Sequence, residues 1–250
     1  LSSGEARALL PPLRAPVAGA LLYADEAHCD PGRFVNVLLE AARGLGAEIR
    51  GGVEVLGFET AAGRVSALQT TGGRVTGATI VLAAGAWTQS LARELGLTLP
   101  LEGGKGYHLE LPAGSADALP CFFEEARITA TPLDGRLRVT GMLDLAGLDM
   151  TVDPRALATI DRAARRLLRL GPEVQPSRLW RGLRPCSPDG LPVIGRFRRY
   201  HNLLIATAHA MLGIALAPAT AAIISDLIAE RAPRFEIEPF SPERFRQRVL

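Results

Sequence analysis

The sequence predicts a mixed α/β fold in which an antiparallel segment interrupts an α/β framework, and three observations carry that reading. Residues 79–87, TIVLAAGAW, form a continuous apolar run, the pattern of a strand covered on both faces as parallel sheets require. Residues 202–207, NLLIAT, form a second apolar strand that passes through a short loop into a long apolar helix, expected over 213–230. Between these, residues 105–111 alternate in side-chain character, which is the period of half-covered antiparallel strands, and further short strands follow.

In chain order, residues 20–23 read as a short strand before an acidic turn. Asp30-Pro31 then opens a helix, Asp30 as N-cap and Pro31 as its first residue. Phe34, Val37, Leu38, Ala41 and Leu45 follow at helical spacing until Gly46 stops it. Residues 46–50 and 53–58 read as strands. Residues 64–69 and 74–78 flank Gly72-Gly73 and predict a β-hairpin. Short strands are expected at 127–130 and, after the Asp134-Gly135 turn, at 135–141. A helix over 154–170 follows, ended by Gly171-Pro172. Pro188-Asp189-Gly190 is a hairpin-type turn, and Arg196-Phe197-Arg198-Arg199 reads as a solvated basic loop.

Composition narrows the function. With 250 residues, 48% of them apolar, the chain has ample core for one large or two modest domains. Basic and acidic residues number 28 and 26, giving a net charge of +2, which does not advertise nucleic acid. Cys29, Cys121 and Cys186 are odd in number and lack metal-ligand spacing, so neither a disulfide framework nor a metal site is expected and a reducing, cytoplasmic setting is. No run of about 18 apolar residues lacks a polar break. The expected product is soluble, or at most peripheral at an inner membrane.

The helix that starts at Gly213 follows its strand without polar spacers, so its free N–H groups converge at a strand end, where a ligand can be met. Small residues in its first turns allow close approach of something large. An arginine in a Gly/Pro setting, Arg184, presents a planar donor fork suited to a carboxylate.

Four linked blocks of this region are Gly182-Leu183-Arg184-Pro185, Pro188-Asp189-Gly190-x-Pro192-x-Ile194-Gly195, Asn202-Leu203, and His209-x-x-x-Gly213 with Ala217-Pro218-Ala219-Thr220. Together they resemble the flavoenzyme family of D-amino acid oxidases, glycine oxidases and bacterial D-amino acid dehydrogenases, and weaker echoes extend over nearly the whole chain. The resemblance implies a partial Rossmann-like FAD-binding domain made of residues 1–99 and 181–250, with a substrate domain inserted at 100–180. It implies FAD as cofactor, with Val53, Ala84, Gly85, Trp87, Leu212, Gly213 and Ile214 against it. It implies that Arg184 holds the substrate carboxylate, with Tyr107, His108 and Met211 on the substrate side. His209 joins Arg184 and Tyr107 as a candidate near the reacting centre, read as a loop residue beside flavin rather than a general base.

The reaction so implied is oxidation of the Cα–N bond of a D-amino acid or cyclic imino acid, by hydride transfer to flavin N5. Met211 stands where glycine oxidase-like members carry a second arginine, and Lys105-Gly106-Tyr107 looks more like the dehydrogenase branch. The expectation is therefore a dehydrogenase passing electrons to a quinone or other carrier. An oxidase releasing hydrogen peroxide and a non-catalytic module are the alternatives. The chain begins at Leu1 and has no Gly-x-Gly-x-x-Gly, the fingerprint that cradles the FAD pyrophosphate, so it is expected to be the C-terminal portion of a longer protein.

Overall fold

A computed structural model describes residues 1–14, 17–112 and 119–247. In chain order the elements are α1 (Ser3–Leu9), α2 (Pro31–Gly44), β1 (Val55–Ala61), β2 (Arg64–Thr70), β3 (Gly73–Val75), β4 (Ile80–Leu82) and α3 (Thr88–Glu94). There follow β5 (Glu102–Pro112), β6 (Cys121–Phe123), β7 (Ile128–Leu133), β8 (Arg136–Leu145), α4 (Pro154–Leu167), β9 (Arg178–Cys186), β10 (Val193–Arg196), β11 (Leu203–Thr207) and α5 (Gly213–Ile228). The mixed α/β class holds. The chain divides into two compact units.

The first unit comprises Leu1–Ala47, Lys105–Asp144 and Met150–Gly182. Its frame is a five-stranded sheet in the order β6-β7-β8-β5-β9. Alternate residues of β5, Tyr107, Leu109 and Leu111, join Ile128, Val139 and the α4 residues Leu157, Ile160 and Leu167 in one apolar core. Helix α4 forms because Asp153 accepts from the Arg155 amide and Pro154 occupies the first turn, while its apolar residues fall on one stripe.

The second unit comprises Glu48–Gly104, Leu145–Asp149 and Leu183–Leu250. It contains the antiparallel meander β1-β2-β3 and a small sheet in the order β10-β11-β4. In the latter, β11 pairs parallel with β4, Leu203 opposite Ile80 and Ile205 opposite Leu82. Asn202 ties meander to sheet. Its Oδ1 accepts from the Val65 amide at 2.9 Å, and its Nδ2 donates to the Val65 carbonyl at 2.9 Å and the Ala78 carbonyl at 3.3 Å.

Several sequence expectations need correction. Residues 20–23 are not a strand: Leu21, Leu22 and Tyr23 are exposed, and among the described residues the segment's pairing is confined to the bonds Ala20 exchanges with Leu1 at 3.0 and 2.7 Å. Residues 46–50 are also irregular, entered by a turn whose Gly46 has φ of +91°, and the next strand starts at Val55 rather than Val53. The run 79–87 is a strand only over Ile80–Leu82, with Val81 38% exposed, so it is not covered on both faces. Conversely, residues 105–111 are buried on both faces rather than alternating in burial.

Helix α4 ends at Leu167, three residues before the expected stop. The Pro188-Asp189-Gly190 turn exists, but it joins strands of different sheets and is no hairpin. The basic run is not simply solvated. Phe197 is buried, Arg196 donates to the Leu227 carbonyl at 2.9 Å at the end of α5, and Arg199 donates to the Gly96 carbonyl. Helix α1 went unforeseen, although Ser2 and Glu5 form its capping box.

Candidate functional site

In the second unit, β4 and β11 run parallel, and β11 continues to Thr207, two residues past the position opposite the end of β4. The C-terminal ends of such strands are where open α/β sheets present backbone to ligands. After β4, Ala84 precedes a single helical turn over Gly85–Trp87. Gly85 has φ of +57°, and nothing lies within 4 Å of where a Cβ would stand. That combination leaves an open approach to backbone which a larger residue would both strain and obstruct. Thr207, the last residue of β11, donates to the Gly85 carbonyl at 3.1 Å and so fixes the two strand ends to each other.

The loop that follows, residues 208–212, is tightly wound. Ala208 and Ala210 both hold left-handed backbone, with φ of +63° and +46°, a conformation costing roughly 1–2 kcal/mol per residue for a non-glycine. Two hydrogen bonds compensate. The Ala210 amide donates to the Pro185 carbonyl at 3.0 Å, and His209 Nε2 lies 2.9 Å from Thr220 Oγ1 in α5. Burial lowers the His209 pKa below its ordinary value, so the ring is neutral near pH 7 and serves as a loop anchor.

Helix α5 begins at once, with no side chain capping its first turn. Its leading N–H groups therefore point out with the positive end of the helix dipole. Around them stand exposed apolar residues, Met211 at 74% and Leu212 and Ile214 less so. The helix buries only Ile223 and Asp226, so it is not an ordinary core helix. Pro218 sits inside it without ending it.

Arg184 lies on β9 immediately before Pro185, and thus beside the loop that Ala210 fastens. It is half-buried, and burial draws its pKa below the usual arginine value, though a guanidinium this basic keeps its charge. The Ala210–Pro185 hydrogen bond fastens the end of β9 to the loop before α5, and the Thr207–Gly85 bond fastens the end of β11 to the turn after β4. Ala84 and Trp87 flank Gly85 directly. Val53 lies elsewhere in this unit, in an irregular segment packed against Gly72.

Tyr107 and His108 belong to the first unit. Tyr107 is 1% exposed within the apolar core, and its hydroxyl has no hydrogen-bond partner among the described residues. His108 lies on the opposite side of β5 and stacks on Trp180, with ring centroids 4.9 Å apart and planes 14° apart. Sequence reasoning overlooked Thr207, Trp180, Glu110 and Arg138. The overlooked signal was charge inside strands: Glu110 and Arg138 alternate with apolar residues yet are largely buried, which solvent-facing positions would not require. Among the described residues no cluster of metal-ligating side chains occurs, and no helix is long and apolar enough to cross a membrane.

Residues 1–227 match the family described as FAD dependent oxidoreductase (DAO). The fold is similar to the crystal structure of glycine oxidase from Geobacillus kaustophilus, at 27% identity and a TM-score of 0.90, covering 98% of this chain and 66% of that one. It is also similar to L-proline dehydrogenase from P. horikoshii, at 20% identity and a TM-score of 0.88, covering 99% and 68%. A third similar fold is iminodiacetate oxidase from Chelativorans sp. BNC1, at 23% identity and a TM-score of 0.82, covering 97% and 66%. The chain thus spans about two thirds of the length of these solved proteins. With a match over 227 of its residues, the chain belongs to the DAO family of FAD-dependent oxidoreductases.

Proposed function

We propose that the protein oxidises the Cα–N bond of a small amino or cyclic imino acid, D-configured, as a dehydrogenase that passes electrons to a quinone or similar carrier. The single observation that supports it most is the Ala210–Pro185 hydrogen bond. It holds the strand that carries Arg184 beside the loop that opens α5, so a carboxylate-binding group and a set of free backbone donors share one neighbourhood.

The residues fit a flavin ring. Open backbone at Gly85, the uncapped first turn of α5 and exposed apolar Met211, Leu212 and Ile214 suit a flat, largely apolar group with one electron-rich edge. FAD, when bound, supplies the two-electron acceptor. The chain supplies the rest. The Arg184 guanidinium takes the substrate carboxylate in a bidentate grip and so orients the α-carbon. The Gly213, Ile214 and Ala215 amides, at the positive end of α5, stabilise negative charge that develops at the ring edge. No proton transfer by His209 is required, since Thr220 holds its ring and a neutral substrate amine needs no base at this step.

Similarity to a glycine oxidase at 27% identity favours one second reading, an oxidase that reduces oxygen to hydrogen peroxide. An FAD titration followed by absorbance and flavin fluorescence, then reduction by a panel of D-proline, D-alanine, glycine and L-proline, tests the proposal. Reduction by D-proline or D-alanine without peroxide in air is the expected result. Failure of every amino acid to reduce bound flavin contradicts it.

A further inference from the structure

Beyond α5 the second unit carries a 3-10 helical segment, Pro242–Gln247, that packs on β10. Pro242 is buried and stands 3.2 Å from where a Cβ of Gly195 would be. Glu243 accepts from the Arg198 amide at 3.0 Å, just past the end of β10. Phe245 packs against the apolar core of the unit.

From this segment Arg244 reaches the turn that precedes β10. Its Nε donates to Asp189 Oδ2 at 2.8 Å and its Nη2 to Asp189 Oδ1 at 3.0 Å, a two-pronged grip on one carboxylate. Nη2 also donates to the Leu191 carbonyl at 3.0 Å, which accepts from the Ser187 hydroxyl at 2.7 Å. Asp189 Oδ1 in turn accepts from the Leu191 amide at 3.1 Å. The guanidinium lies 4.2 Å from the Phe245 ring centroid, and the Arg244 side chain is only 15% exposed. It thus differs from the exposed single contacts that contribute little. The Arg244 hydrogen bonds, against the opposing effect of burial and with help from the Leu191 amide, draw the Asp189 pKa down to about 2, so the carboxylate is charged near neutral pH.

Residues 187–192 lie outside any helix or strand, and their position depends on these side-chain bonds. Ser187 directly follows Cys186, the last residue of β9. Two residues before Ser187 stands Pro185, whose carbonyl takes the Ala210 amide. We propose that Arg244 is a positioning residue: through Asp189 and the Leu191 carbonyl it fixes the 187–191 turn, and the turn fixes the end of β9 that carries Arg184 and the Pro185 carbonyl. The consequence for substrate rests on the role given to Arg184, whereas the consequence for the Ala210 amide does not.

Amide hydrogen exchange, followed by NMR on the full chain, tests the proposal without substrate. In Arg244→Met the Ala210 amide should exchange at least about tenfold faster than in wild type, the scale of a charge-assisted hydrogen bond, while the amides of β11 keep their rates. Asp189→Asn leaves Arg244 over Phe245 and should give a smaller acceleration of the same amide. Arg244→Lys, a charge without the planar fork, should fall between wild type and Arg244→Met. In the FAD-loaded protein, Arg244→Met should raise the D-proline concentration for half-maximal reduction several-fold and retain the limiting rate, the signature of weakened binding with the chemistry intact. An unchanged Ala210 rate in Arg244→Met, or an acceleration shared equally by β11, overturns the proposal. A faster Ala210 amide with an unchanged half-maximal concentration overturns the link to Arg184. If no amino acid reduces the wild-type flavin, the functional reading fails while the exchange rates still decide the role of Arg244.

Discussion

The Ala210 amide donates to the Pro185 carbonyl at 3.0 Å, and this bond joins two stretches 25 residues apart in sequence, the Gly-Leu-Arg-Pro strand and the loop that launches α5. The bond also explains why the loop tolerates two alanines in left-handed backbone. A local cost is met by fixing the position of a helix N-terminus.

Gly85 combines left-handed backbone with open space on its Cβ side, so a substitution there tests its proposed place beside the flavin. Gly85→Val would force a β-branched residue to φ of +57° and fill the open approach. FAD affinity should fall at least tenfold, measured by fluorescence titration, with far-ultraviolet circular dichroism unchanged. Wild-type affinity in the variant would remove Gly85 from the flavin site.

Asn202 carries stability rather than chemistry. Asn202→Ala removes both hydrogen bonds to Val65 and the one to Ala78, leaving buried backbone groups unmet at a cost of about 3 kcal/mol. Urea denaturation should show a lower midpoint with an unchanged slope. A midpoint equal to wild type would mean that water replaces the amide.

Much of this was legible in the sequence, and the failures have a common cause. The Asp30-Pro31 helix start announces itself through local capping chemistry, the helix from Pro154 through its Gly171-Pro172 stop, and the Gly72-Gly73 hairpin through turn chemistry. The extents of 79–87 and 20–23 were misjudged because an apolar run reports capacity for burial, while strand length depends on a partner ladder that the sequence does not display. Arg184, Gly85 and Gly213 stand out through the pattern of small residues around them. Glu110, Arg138 and Trp180 do not, because their meeting on one face depends on strand order β8-β5-β9, which no local motif encodes.

His108 makes stability depend on pH. Burial, reinforced by Arg138, Arg178 and Arg136 and opposed by Glu110, pushes its pKa down to about 4 from 6.5. The unfolded chain then binds more protons than the folded one between those values, so stability falls as pH drops from about 6.5 to about 4. The loss is on the order of 3 kcal/mol. In His108→Gln, chemical denaturation across that window should give a flatter profile, and an unchanged slope with pH would show that His108 titrates normally.

Trp180 owes its place to a glycine. Gly182→Ala puts a methyl group where the indole ring lies, so the ring must leave and its stack on His108 with it. Near-ultraviolet circular dichroism and a shift of tryptophan emission report the change. Spectra identical to wild type would mean that the strand yields instead.

Arg184 bears the central claim, and anaerobic reduction of the FAD-loaded protein tests it most directly. With D-proline or D-alanine as titrant, the flavin absorbance of the wild type should bleach, and Arg184→Met should need roughly 30- to 100-fold more substrate for half-reduction, the worth of a charged bidentate contact, while retaining its flavin. Bleaching at the same concentration in both proteins would show that the carboxylate is held elsewhere and would contradict the account.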